Sequence, residues 1–307
     1  MVTQVYIRFR ALIPLFALLL LTGCAVFRTE HAVKQRIRTE GLKTATLEQL
    51  VDSINSDAAH LQSLNATVDI DVSTGGAKKG RVTEYQQISG YVLLRKPGML
   101  RVIGLFPVVR NRAFDMVSNG QNFELSVPPR NKFFIGSNQP VAKPTAQPLE
   151  SLRPQHILDA LLLKPIDPET ERAVMEQDME TVRDPKSHKD VLQPNYVVIV
   201  IRNERGNWYL ARKIVFSRDD LMPHEQQIFN TSGQLVTVGR YENFTNYSGI
   251  MFPEIIDIER PVEEYSIKMS IVKLRINEQI KDDQFVLTRP PGAQLVNLDT
   301  QSSSVQN

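Results

Sequence analysis

The chain of 307 residues has one cysteine, one tryptophan and five histidines. A single thiol excludes an intrachain disulfide, so the fold must stand on its core alone. His31, His60, His156, His188 and His224 are far apart, and none sits in a His-x-x-x-His or Cys-x-x-Cys frame. No metal site is expected on that spacing. Charge of one sign is lacking too. The 36 Lys and Arg against 34 Asp and Glu leave a net +2, which gives no electrostatic footprint for nucleic acid. Long apolar runs are also missing. A membrane-spanning helix needs ~20 apolar residues, and the stretch from Ala11 to Leu21 is about half that and is broken by Pro14.

Catalytic constellations are equally scarce. The adjacent acids Asp219-Asp220, Glu263-Glu264 and Asp282-Asp283 fall at expected turns or strand ends, and neighbours along a strand point to opposite faces. Ser270-x-x-Lys273 fits a bare Ser-x-x-Lys pattern, but in a strand these two positions diverge. No Gly-x-Ser-x-Gly and no phosphate-loop pattern occurs. The expectation is a non-catalytic protein without a cofactor.

What is present begins with an address. Arg8 and Arg10 precede the apolar run, which ends in Leu21-Thr22-Gly23-Cys24. Basic, then apolar, then small residues is the order of a secretory signal. The last four residues resemble the bacterial lipoprotein signal at every position: Leu, Ala/Ser/Thr, Gly/Ala, Cys. The resemblance implies cleavage before Cys24 and three acyl chains on it. At ~0.8 kcal/mol per buried CH₂, one chain holds a protein only marginally and two or more hold it stably. Membrane lipid is thus the first expected partner. Ala25, where the best-known retention rule has Asp, favours the periplasm-facing side of the outer membrane. The expected divisions are a signal at 1–23, a lipidated basic tether at 24–45, a folded domain at 46–292 and a polar, disordered tail at 293–307.

Periodicity organises the domain. Thr46-x-x-Gln49 is a capping-box pattern, and Leu47, Leu50, Val51, Ile54, Ala58 and Leu61 follow at helical spacing, which predicts a helix to about Leu61. The period then becomes two. Strands are expected at Val68–Val72, Val82–Arg95 and Met99–Phe106, and as a hairpin around Asn119-Gly120. A Pro-rich middle (Pro140, Pro144, Pro148, Pro154) leads into a short helix from Pro154 to about Leu163, proline suiting the first turn. A second, charged helix is predicted over Pro168–Met179. Strands resume from Tyr196 and run as a meander to Ile276. Short antiparallel links favour one α+β fold: a strongly curved antiparallel sheet, an incomplete barrel, with two or three helices on its concave side.

Specific phrases resemble the LolA/LolB-like family. Gly90-Tyr91-Val92-Leu93-Leu94-Arg95-Lys96-Pro97-Gly98-Met99-Leu100-Arg101, Val117-Ser118-Asn119-Gly120-Gln121-Asn122-Phe123 and Gln284-Phe285-Val286-Leu287-Thr288-Arg289-Pro290-Pro291-Gly292 are similar to its glycine–strand–Lys/Arg-Pro-Gly run, its Ser-Asp/Asn-Gly hairpin and its closing segment. The likeness is nearest to an uncharacterised group of LolA-like lipoproteins. It implies a half-barrel around helices that holds the acyl chains of a lipoprotein or a free lipid in an apolar cavity. By alternation, the concave-face candidates are Leu94, Ile103, Leu105, Trp208, Leu210, Phe216, Ile256, Ile258, Ile267 and Met269. The same residue types would serve as ordinary core. A second expectation is a structural or sensing module that binds a protein partner in an envelope complex.

Overall fold

A computed structural model describes residues 36–37, 41–138, 152–184 and 188–301. Cys24, the signal at 1–23 and the prolines at 140, 144 and 148 lie outside the described residues. The chain divides into a small unit (residues 1–38 and 181–192) and a large one (residues 39–180 and 193–307). In the small unit β1 (Arg36–Ile37) runs parallel to a neighbouring strand, with Arg36 opposite Val191 and Ile37 opposite Leu192.

The large unit opens with α1 (Leu47–His60). The Thr46 hydroxyl accepts from the Gln49 backbone N–H at 3.2 Å, and the Gln49 side chain accepts from Thr46 N–H at 2.9 Å. This reciprocal pair satisfies two orphan donors of the first turn. A meander follows: β2 (Ser63–Gly76), β3 (Arg81–Glu84), β4 (Ile88–Arg95), β5 (Met99–Leu105), β6 (Arg112–Asn119), β7 (Asn122–Val127) and β8 (Lys132–Ser137). Next come α2 (Pro154–Leu161), β9 (Glu171–Arg183) and β10 (Asp190–Glu204), the last two contributing residues 171–180 and 193–204 here. The second meander is β11 (Asn207–Ser217), β12 (Pro223–Phe229), β13 (Leu235–Tyr247), β14 (Ile250–Arg260) and β15 (Tyr265–Ile276), closed by β16 (Gln294–Asn297) and one turn of helix, α3 (Leu298–Gln301).

These strands form one sheet in the order β10-β11-β12-β13-β14-β15-β2-β4-β5-β6-β7-β8-β16, with β9 beside β10 and β3 on β2. The two meanders are joined at a seam where β15 runs antiparallel to β2, Met269 opposite Ile70 and Ile267 opposite Val72. The sheet is curved and does not close into a barrel. It is the α+β arrangement the periodicity predicts.

Both longer helices fill the inner face. Leu50 and Ile54 of α1 pack on Tyr196, Val198, Val200, Ile214 and Phe216. Ile157, Leu158, Ala160 and Leu161 of α2 join Val68, Leu94, Val102, Ile256, Ile258 and Met269. The last carbonyls of α2 would be orphaned in this apolar setting. Gln226 Nε2 donates to Asp159 O at 2.9 Å and Tyr241 Oη to Ala160 O at 2.8 Å.

Four expectations are corrected. The charged segment predicted as a helix over Pro168–Met179 is the edge strand β9. Its half-buried Ala173 and Met175 alternate with exposed Arg172, Val174 and Glu176. Asp167 bends the chain ahead of it, accepting from Glu169 N at 3.0 Å and Thr170 Oγ1 at 2.7 Å. The strand expected over Val82–Arg95 is two, broken at residues 85–87. The tail expected from 293 continues as β16, parallel to β8, and Leu298 is buried at 1% exposure; a polar composition hid one buried leucine and four ladder residues. The fourth concerns which residues face inward on β5 and β11.

Candidate functional site

Six of the ten concave-face candidates do face the core. Leu94, Ile256, Ile258, Ile267 and Met269 pack around α2, and Phe216 lies beneath α1. On β5, however, the buried positions are Leu100, Val102 and Gly104, so Ile103 and Leu105 face the other side. On β11 the alternation breaks. Val200 opposes Arg212 but its neighbour Ile201 opposes Leu210, leaving Ala211 as an extra residue. Such a bulge turns every side chain beyond it to the other face. Leu210 and Trp208 therefore leave the face that carries Ile214 and Phe216, and Trp208 is 49% exposed.

None of the ten lines the groove that the fold leaves open. With α1 and α2 occupying the inner face, a groove of about 60 Å³ lies at its rim. The walls are Ala58 and Leu61 at the end of α1, Leu161, Leu162 and Leu163 after α2, and Tyr241, Phe244, Ile250 and Phe252 from β13 and β14. One water needs roughly 10–15 Å³ on this measure, so the groove has room for an apolar group several times that size. Two charged groups stand among the carbon walls. Lys96 Nζ donates to Ala58 O, and burial pulls its pKa below the usual lysine value. Burial raises the Asp57 carboxyl, with His60 opposing. Phe244 meets the His224 ring edge-on at 5.4 Å. Burial alone would lower His224, but the Asp220 carboxylate, 2.8 Å from Nε2, leaves it above its ordinary value.

A second feature escaped the sequence reading, which ended a strand at Phe106-Pro107. The β5–β6 loop closes through Phe106 N–H to Asn111 O at 2.9 Å and Arg110 N–H to Phe106 O at 3.0 Å. Its tip projects Val108 at 97% exposure and Val109 at 64%. Val108 has φ +66° and Arg110 φ +53°. A β-branched residue in the left-handed region is an outlier that costs about 1–3 kcal/mol. Arg110 reaches Tyr91 Oη at 3.4 Å. Arg112 is paired to the buried Asp115 at 3.0 Å. The available signal was the run Phe106-Pro107-Val108-Val109 itself, an apolar turn with none of the usual polar turn residues.

Among the described residues no three His, Cys, Asp or Glu side chains stand close enough to share a metal ion, and no helix is long and apolar enough to cross a membrane.

No family model and no curated protein matches the chain. Solved structures do. The LolA superfamily protein from Nitrosomonas europaea is 15% identical over 80% of this chain and 99% of its own, with a TM-score of 0.47. A putative outer membrane lipoprotein-sorting protein domain from Vibrio parahaemolyticus is 11% identical over 76% and 95%, at 0.48. The MucA/MucB complex of Pseudomonas aeruginosa matches at 12% over 80% and 63%, at 0.25. The first bears the name that the sequence phrases resemble. With every score below 0.5, the functional reading rests on the groove and the loop tip.

Proposed function

We propose that the protein is a non-catalytic, lipid-anchored envelope protein, tethered through Cys24 to the periplasm-facing side of the outer membrane, that handles the apolar chains of a lipoprotein or lipid at a membrane surface. The exposed tip at Val108 and Val109 carries this reading. A soluble loop gains nothing by holding a valine strained in water. Burial in lipid returns roughly 1.5–3 kcal/mol per such side chain, and Arg110 adds ~1 kcal/mol beside anionic headgroups. Together these support reversible contact, while acylation supplies the permanent hold. The rim groove then offers a departing or arriving chain its first apolar contact.

The test is flotation of the unacylated chain from Ala25 onward with vesicles of phosphatidylethanolamine and phosphatidylglycerol. The chain is expected to rise with the vesicles, and the double substitution Val108→Asp, Val109→Asp to weaken binding at least tenfold. Equal flotation of the two proteins would remove the tip from the mechanism and the reading with it.

One observation favours a second reading, a structural or sensing module. Among the described residues β9 pairs only with β10, and its Val174 and Met179 are each 50% exposed. A free edge of this kind accepts a strand from a partner. Crosslinking in native membranes that captures a stoichiometric protein at β9 and no lipid would favour it.

A further inference from the structure

The rim groove carries two opposite charges that do not meet. Asp57, in the last turn of α1, and Lys96, one residue beyond β4, both line it. Each is half-buried. The carbon walls beside them, Ala58, Leu61, Leu161, Tyr241, Ile250 and Phe252, are buried. The charges therefore stand at the mouth and the carbon lies within.

Among the described residues neither has an ion-pair partner. Lys96 Nζ donates to Ala58 O, the carbonyl of the residue after Asp57. That bond caps α1 with one of three ammonium N–H groups and neutralises no charge. The Asp57 carboxyl oxygens accept no hydrogen bond from the described residues; the backbone carbonyl alone is used, by Leu61 N–H at 3.1 Å. His60 acts on the carboxyl only through space, its own Nδ1 donating to Ser56 O at 2.7 Å. Burial disfavours the charge on both groups. A groove that served only to close the core would gain nothing from two half-desolvated ions left apart, because each costs free energy until it is paired.

We propose that the groove takes a one-chain phospholipid with an ethanolamine head, lysophosphatidylethanolamine. Its chain enters between the carbon walls, Lys96 receives the phosphate and Asp57 the ammonium. Head and mouth then match charge for charge, with two charge-assisted hydrogen bonds where neither ion had a counter-charge. A free fatty acid offers Asp57 nothing, and Asp57 repels a purely anionic head. At about 60 Å³ the groove is narrow for two chains side by side, hence a lipid with one. The assignment rests on the groove being a site for apolar chains and adds the head that such a chain carries.

Photolabelling of the full acylated chain in phosphatidylcholine nanodiscs tests this. Two probes carry the same diazirine-bearing chain and differ in the head: lysophosphatidylethanolamine and lysophosphatidylglycerol. The ethanolamine probe is expected to label residues 58–61, 161–163 and 241–252. Its half-maximal labelling should come at a concentration about tenfold below that of the glycerol probe, the worth of one charge-assisted hydrogen bond. Lys96→Met should weaken both probes. Asp57→Asn should weaken the ethanolamine probe and strengthen the glycerol one, opposite signs that misfolding cannot imitate. Equal labelling of the groove by the two heads, or an Asp57→Asn variant that moves both probes alike or neither, overturns the head-group assignment and leaves the groove a site for chains. No labelling there by either probe overturns the assignment and the chain site together. Vesicle flotation reads the apolar tip separately.

Discussion

Val108 shows how much one backbone angle can say. Asparagine, aspartate or glycine would occupy φ +66° at little cost, and valine does not. Val108→Gly is therefore expected to raise the melting temperature, by the equivalent of about 0.5–1 kcal/mol once strain relief is set against the added freedom of the unfolded chain. Flotation with vesicles should weaken in the same variant. Thermal unfolding and flotation on one preparation check both signs, and a variant that melts lower would show the loop to be unstrained. The apolar run was readable in the sequence; the angle that makes it informative was not, since it arises from closing β5 onto β6.

At the scale of elements, the sequence marked α2 better than it marked what α2 does. Pro154 announced its first turn. Its buried polar side chain is His156, for which the histidine spacing predicts no metal role. The ring is 4% exposed, its Nδ1 lies 2.8 Å from Tyr265 Oη, and among the described residues Nε2 has no partner. Burial, with Arg260 and Arg153 adding repulsion, holds its pKa well below 6.5. The unfolded chain therefore takes up a proton below pH 6.5 that the native state refuses. Stability from this group is full above pH 6.5 and falls with acid by up to about 1.4 kcal/mol per pH unit. His156→Gln should flatten that acid limb in urea titrations across pH 5 to 7, and an unchanged limb would assign it elsewhere. The strand β9 shows the converse limit. Its charges suit a helix face as well as an edge strand, and only the presence of β10 decides between them. The bulge at Ala211 was invisible for a related reason, because strict alternation on both sides of an extra residue reads as one strand.

For the molecule as a whole, strand spacing revealed a meander, whereas the pairing of its first strand with its last came from the structure alone. The end of the chain belongs to this assembly. β16 covers the outer edge of β8, and Asp299 Oδ2 accepts from Ser137 N at 2.7 Å. A chain stopped after Gly292 should melt several degrees lower and self-associate through the bared edge of β8, which calorimetry and light scattering would detect; an unchanged monomer would make the last strand dispensable. The seam has a temporal consequence. Ser73 and Ser266, 193 positions apart, share a hydrogen bond across β2 and β15. Under the proposed export, a chain threaded from its N-terminus presents β2 long before β15 emerges. Until then Val68 and Ile70 have no second neighbour on that side, and the first half waits as an incomplete, sticky intermediate. On the proposed export route, a protein wired in this way would need an escort until β15 arrives.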